Sequence, residues 1–259
     1  MDRRLAFVAD EADRAVALRI MDICSSAEKW HKPCFSHFLT ESEQAAAKEL
    51  LRYQFDDYHY FYGGWDGAER KVYCAVPDNF YFDQSEDVYP FKAVTMLFPK
   101  GYNVTHRDIL GSIMSLRIKR EAVGDILVGD CLSVVFLLDA AASLVVSELV
   151  KIGGVGVRCS IGMPEELPPL YRTESHSATV SSLRADAVVS VVCNISRSDS
   201  AALIAQGLVS KNARVVNSSS ASIEEKDKLS IRGHGKFQIE NVGGLTRKGR
   251  LHIVFNKYI

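Results

Sequence analysis

The sequence predicts a mixed α+β protein in three segments: an N-terminal α/β region, a central β-α-β-β-α-β segment and a small basic C-terminal domain. Three observations carry that prediction. Apolar residues alternate between a three-to-four spacing and short continuous β-branched runs, which separates helices from strands. Gly-Gly and Gly-Asp pairs fall between neighbouring strand-like runs, where hairpin turns need them. Charge is also divided. Residues 184–259 hold twelve Lys or Arg against six Asp or Glu, a balance of +6, while the rest holds 19 against 26, a balance of −7. The whole-chain charge of −1 hides a basic module behind an acidic body, and clustered positive charge marks where a polyanion docks.

The stretch 1–55 reads as helical. Leu5, Val8, Ala12, Ala15 and Leu18 follow one helical stripe, and acids follow the first apolar run too soon for a secretory signal. Thr40-Glu41-Ser42-Glu43 is a capping box that opens a second helix, with Phe38 and Leu39 ahead of it as staple residues. The aromatic run from Tyr58 to Tyr62, the turn Gly63-Gly64-Trp65-Asp66-Gly67 and the run 70–76 predict a hairpin. This first region is expected to span 1–78.

The segment 79–169 is predicted as strand 91–98, helix 105–117 capped by Thr105, strands 125–128 and 131–138 joined by Gly129-Asp130, helix 140–152 and strand 155–161. That order is the split βαβ, or ferredoxin-like, arrangement, which RRM modules share. The strand 131–137 lacks the basic-glycine-aromatic signature of an RRM, so base stacking in that style is not expected. Gly111 inside the first helix implies close packing against the sheet, and Gly153-Gly154-Val155-Gly156 reads as a helix C-cap and turn. A Pro-rich bend at 163–169 ends the segment, and 170–182, rich in Ser and Thr, reads as a linker.

The C-terminal domain, 183–259, opens with a short helix from Arg184-Ala185-Asp186, with Val188, Val191 and Val192 inward. A second helix starts at Ser196-Arg197-Ser198-Asp199, with Ser196 as N-cap, and stops at Gly207. Strand-like runs follow at 208–216 and 228–233. The order and spacing of these residues, over most of the domain, resemble the S4-type (αL) RNA-binding domain. Ala185 replaces the usual leucine, Ala213 the usual glycine after the turn residue Asn212, and Lys226 a usual acid or glycine. Alanine tolerates positive φ poorly, so the turn either changes type or leans on Asn212.

Helix N-termini favour phosphate, so Arg184, Ser196, Arg197 and Ser198 are candidate RNA contacts. Lys211, Asn212, Arg214, Arg232, His234 and Lys236 are expected on the adjoining strands and turns, and Arg247, Lys248 and Arg250 in the last loop. Arg107, Arg117, Lys119 and Arg120 form a second candidate cluster in the central segment. Contacts of this kind position a protein on folded RNA by shape and charge.

Further motifs extend the resemblance. Gly63-Gly64 with Ala68-Glu69-Arg70, His106-Arg107-Asp108-Ile109-Leu110-Gly111, Ile118-Lys119-Arg120-Glu121, Gly124-Asp125-Ile126, Gly233-His234-Gly235-Lys236-Phe237 and Lys248-Gly249-Arg250 are similar to the bacterial YlmH family over essentially the whole chain. That resemblance implies a cytoplasmic, ribosome-associated, non-catalytic factor linked also to cell division. Its implied partners are structured ribosomal RNA, peptidyl-tRNA and the bacterial large subunit carrying a stalled chain. A monomer is expected.

Two other classes stay open. S4-type modules are also appended to RNA-modifying enzymes, but the sequence offers no glycine-rich loop between a strand and a helix and no readable catalytic pairing. An interaction scaffold would use the aromatic run and Trp65 as its surface. The six cysteines, none in a C-x-x-C spacing, read as reduced structural residues, and neither a metal site nor a cofactor is proposed. No run of about eighteen apolar residues is present, so no membrane span is expected.

Overall fold

A computed structural model describes residues 11–54, 58–78, 80–82, 88–169, 173–246 and 249–258. Leu5, Val8, Arg247 and Lys248, together with the Ala12 side chain, lie outside the described residues. The chain forms two compact units, residues 1–170 and 171–259. Each combines helices with antiparallel sheet, the α+β class expected.

The first unit stacks four layers. Helices α1 (Glu11–Trp30) and α2 (Glu41–Gln54) cover one face of a three-stranded sheet of β1 (Cys34–Leu39), β3 (Lys71–Ala75) and β2 (His59–Tyr62), in that order. The capping box starts α2: the Glu43 N–H donates to Thr40 Oγ1 at 3.3 Å, and the Thr40 N–H donates to Glu43 Oε2 at 2.9 Å. The inward stripe of α1 is Val16, Ala17, Ile20, Cys24 and Ala27. The expected stripe was out of phase, for Ala15 and Leu18 face solvent. In a helix rich in alanine and aliphatics several stripes have similar spacing, and packing selects one.

Strand β1 departs from the all-helical reading of 1–55. Phe38 and Leu39 point to opposite faces, Leu39 toward the helices and Phe38 into a second core. Strand β3 does the same with Tyr73 and Ala75 on one side and Val72 and Cys74 on the other. A strand covered on both faces reads as a continuous apolar run, as Val72-Tyr73-Cys74-Ala75-Val76 does.

Beneath lies the second sheet of this unit, β5 (Val123–Val128), β6 (Leu132–Leu138), β4 (Phe91–Leu97) and β9 (Arg158–Ile161), in that order and antiparallel throughout. Helices α3 (His106–Ser115) and α4 (Asp139–Glu148) close its far face over Val94, Met96, Ile126, Val135 and Leu137. With β4 and β6 central, this is the split βαβ order. Helix α4 ends earlier than expected. Residues 149–156 instead form the small hairpin of β7 (Lys151–Ile152) and β8 (Val155–Gly156), and Gly153 and Gly154 are its two-residue turn, not a helix cap. Gly111 is also not packed against the sheet, for a Cβ built there meets no atom within 4 Å.

The second unit is a six-stranded antiparallel sheet, ordered β10 (Thr173–Val180), β15 (Leu251–Tyr258), β14 (Gly235–Leu245), β13 (Lys228–Ile231), β11 (Val209–Lys211) and β12 (Arg214–Val215). Helices α5 (Ala185–Val192) and α6 (Arg197–Ala205) seal a core with Val188, Val189, Ile204, Leu229, Phe237 and Phe255. The stretch expected as a linker is mostly strand β10, paired with β15 from Thr173↔Tyr258 to Val180↔Leu251. Its exposed Ser and Thr side chains belong to an edge strand with one wet face, a pattern that resembles a connector in composition alone.

Among the described residues no single helix is long and apolar enough to cross a membrane.

Candidate nucleic-acid interface

The arrangement at the helix starts of the second unit begins with Asp186. Its carboxylate accepts from Arg184 Nε at 3.1 Å and from Arg197 Nη2 at 3.0 Å, so one acid ties the residue before α5 to the first residue of α6. The acid is covered and the bases are not: side-chain exposure is 12% for Asp186 against 47% for Arg184 and 52% for Arg197. Burial pushes the Asp186 carboxyl up, but the Arg184 hydrogen bond and the charges of Arg197 and Arg184 outweigh it and hold the group below the usual carboxylate range. Ser196 caps α6, accepting from the Asp199 N–H at 3.1 Å, and Ser198 sits beside it at 2.7 Å.

Lys211 joins this cluster through Ser222. The Ser222 carbonyl accepts from Lys211 Nζ at 3.1 Å, and Ser222 is bridged to the backbone of Arg184. Lys211 also pairs with the covered Asp227 at 3.3 Å. The turn after it keeps positive φ at both Asn212 (φ 49) and Ala213 (φ 63). Two successive residues of that kind in a two-residue hairpin make a type I′ turn. Asn212 does stabilise it: its Nδ2 donates to Asp227 Oδ1 at 2.7 Å, and its Oδ1 accepts from the Lys228 N–H at 2.9 Å.

Arg184, Arg197 and Lys211 thus form one basic edge over two shielded carboxylates, and Arg214 follows as the strand partner of Lys211. Arg232 and His234 sit at the β13–β14 turn, with Lys236 opposite Ser230. Arg250 does not join them. Its guanidinium donates to the Thr179 carbonyl at 2.6 Å, at the opposite edge of the sheet. In the first unit Arg107, Arg117 and Lys119 are exposed, but Arg120 turns inward and donates to the Val123 and Gly124 carbonyls.

Sequence reasoning overlooked a buried seam in the first unit. Asp125 is 4% exposed, and its carboxylate accepts from the Glu69 N–H at 2.8 Å, the Arg70 N–H at 3.0 Å and Trp65 Nε1 at 3.2 Å. Arg70 then donates to the Val123 and Phe38 carbonyls at 2.9 and 3.1 Å. Gly64, at positive φ, lies on the Phe136 ring, where an added Cβ would come within 2.3 Å. Several residues that carry the resemblance in this region therefore join the two sheets. A second buried chain links Cys24 Sγ to Tyr73 Oη at 3.1 Å and Tyr73 Oη to His59 Nδ1 at 2.7 Å. Burial raises the Cys24 and Tyr73 pKa values and lowers that of His59, which leaves all three neutral near pH 7.

Fold and site together define an α+β protein with a basic, half-exposed edge on its second unit and a split βαβ sheet in its first. A family model described as "Putative RNA-binding domain in YlmH" matches residues 85–163. The chain is 32% identical over 199 residues, 76% of its length and 77% of the relative's, to the "Ribosome-associated protein quality control protein P2" of Bacillus subtilis (strain 168). Its fold is similar to that of "Cell division protein ylmH from Streptococcus pneumoniae", with TM-score 0.50 and 22% identity, covering 60% of this chain and 93% of that one. The chain belongs to the YlmH family.

Proposed function

We propose that this protein is a non-catalytic, cytoplasmic RNA-binding factor that grips structured ribosomal RNA and tRNA through an S4-type C-terminal domain. Its setting in this reading is the bacterial large ribosomal subunit carrying a stalled peptidyl-tRNA. The observation that carries the proposal is the exposed Arg184–Arg197 pair held over a covered Asp186. Fixed, half-exposed guanidiniums suit bidentate phosphate contact, and the carboxylate beneath sets their spacing without facing the ligand. The ribosome-associated quality control relative supports the setting, and the family match supports RNA contact by the central segment as well. A non-catalytic role accords with the use of Asp125 as a structural acceptor and the enclosure of Tyr73 and Cys24 in the core.

The test is capture of RNA from a bacterial lysate across a salt series, with an Arg184→Gln/Arg197→Gln/Lys211→Gln variant alongside. Large-subunit RNA and tRNA should be enriched with the native protein. The variant should lose them and show a log–log salt slope shallower by about one for each phosphate contact removed. An RNA profile and slope unchanged by the variant would overturn the assignment of this surface.

A further inference from the structure

Among the described helices Gly111 of α3 is the only interior glycine, and nothing in the fold requires it. Its backbone is not left-handed, and a Cβ there would meet no atom within 4 Å. Alanine would make the helix more stable. Arg117, which follows the helix cap Leu116, departs in the other direction: it holds φ 62, where glycine is the usual residue. The helix thus carries a glycine where stability favours a side chain, and its end carries a long side chain where stability favours glycine. Departures of this kind from local preference collect at functional sites.

Both departures lie on one basic surface. Arg107, Gly111 and Ser115 succeed one another at four-residue spacing on the solvent side of α3, opposite Ile109 and Ile113. The Ser115 hydroxyl folds back, donating to the Ser112 carbonyl at 2.7 Å, so the middle of this side has little relief. Cations stand at both ends. Arg107 lies in the first turn, and Arg117 and Lys119 follow the last, about 15 Å away along the axis. Residues 100–120 hold five Lys or Arg against a single acid, within a part of the chain that is acidic overall. That acid, Asp108, is taken up by the cap, accepting from the Thr105 N–H at 2.9 Å and from its hydroxyl at 2.6 Å. Arg107 and Arg117 form no ion pair among the described residues, and Lys119 reaches Glu121 only at 3.9 Å.

We propose that this side of α3 docks on the sugar–phosphate backbone of paired RNA, with Gly111 against the backbone ridge and Arg107, Arg117 and Lys119 on phosphates to either side. A missing side chain lets two backbones approach closely, and that approach brings the cations at both ends of the helix within reach of phosphates. The helix fixes the spacing of those cations, which suits a duplex of fixed shape, and it carries no Phe, Tyr or Trp on which unpaired bases would stack. The whole surface lies inside residues 85–163, the span matched by the RNA-binding family model. The inference rests on the RNA-binding reading above and adds to it a second contact, on the first unit, besides the Arg184–Arg197 edge of the other.

The experiment uses the full chain and two probes, a blunt RNA duplex and a single strand of the same sequence. Gly111→Gln adds a neutral side chain that favours helix more than glycine does, and Arg117→Gly relieves the positive φ, so both variants should melt at or above the native temperature. Each should nevertheless weaken duplex binding, Gly111→Gln about ten-fold by keeping the backbones apart and Arg117→Gly about five-fold by removing a phosphate contact. Arg107→Gln/Lys119→Gln should make the log–log salt slope shallower by about two. Stability held or gained while affinity is lost is the expected signature, since a purely structural role would move the two together. Equal duplex affinity for the native protein, Gly111→Gln and Arg117→Gly would overturn the proposal. Duplex binding lost only in Arg184→Gln/Arg197→Gln/Lys211→Gln would overturn it too, while leaving the broader reading standing. If the native protein binds neither RNA, both readings fall. Tighter binding of the single strand than of the duplex would overturn paired RNA as the occupant.

Discussion

The Asp186 carboxylate, one residue into α5, accepts a hydrogen bond at 3.0 Å from the Arg197 guanidinium that opens α6. With Arg184 on its other oxygen, the acid is the tie between the starts of two helices. Its carboxyl is held below the ordinary range, so the unfolded chain binds a proton that the folded chain resists. The resulting stabilisation is complete above the unfolded value of about 3.9 and is lost as pH falls through the lower folded value. Denaturant titrations of the native protein and Asp186→Asn should therefore differ by a constant amount above about pH 5. The difference should shrink below about pH 4. A difference that grows on acidification would show the opposite sign and refute the ion-pair account.

The Asp125 seam predicts a large loss on truncation. Asp125→Ala leaves the Glu69 and Arg70 N–H groups and the Trp65 indole without their acceptor, each partly buried. Unsatisfied buried donors cost about 1–3 kcal/mol apiece, and partial rescue by water should leave a net loss of about 3 kcal/mol. Urea unfolding followed by tryptophan fluorescence should show this, with a red-shifted native spectrum as the Trp65 environment loosens. A loss under about 0.5 kcal/mol, the size of an ordinary surface substitution, would mean that apolar contact alone holds the two sheets.

Two glycines should respond in opposite directions to alanine. At Gly64 the backbone has φ +96, and an added Cβ is forced into the Phe136 ring. Strain and overpacking together should make Gly64→Ala cost about 3 kcal/mol or prevent folding of the first unit. Gly111→Ala meets open space inside α3. Helix propensity should then make it stabilising by about 1 kcal/mol. Thermal melts of the two variants decide both statements. Destabilisation by Gly111→Ala would contradict the open surroundings of that position.

The β11–β12 turn holds Ala213 at φ 63. L-residues lose about 1–2 kcal/mol in that conformation, while glycine adopts it freely and loses somewhat more entropy on folding. Ala213→Gly should therefore raise stability by about 1 kcal/mol without changing RNA affinity. Both ends of the Asn212 amide bridge to the side chain of Asp227 and the backbone of Lys228. Asn212→Ala should accordingly lower stability by about 2 kcal/mol. Chemical denaturation of the two single variants provides the comparison.

Much of this protein was legible in local sequence because the interactions concerned join near neighbours in the chain. Thr40 with Glu43, Thr105 with Asp108 and Ser196 with Asp199 all make the caps their spacing announces. Hairpin turns at 63–67 and 129–130 fall between the strands expected, and the split βαβ order follows from them. The phase of α1, the strand β1 and the conversion of 173–180 into an edge strand were not legible, because each depends on a partner elsewhere in the chain. Strand β10 has its partner in β15, with the whole helical part of the unit between them, and no property of Thr173 to Val180 alone distinguishes it from a soluble connector.

The candidate site divides along the same line. The sequence by itself determined that the last third is basic and opens two helices with Arg184 and Arg197, and its motifs matched the YlmH family. Only the tertiary structure decided that Asp186 gathers those two arginines, that Lys211 joins them through Ser222, and that Arg120 and Arg250 turn to backbone carbonyls. It also decided that the N-terminal sheet covers most of the central sheet's aromatic face. The physical reason is range: a cap or a turn is closed by neighbours in sequence, whereas a charge finds its partner, and a sheet its cover, only once distant segments have packed together.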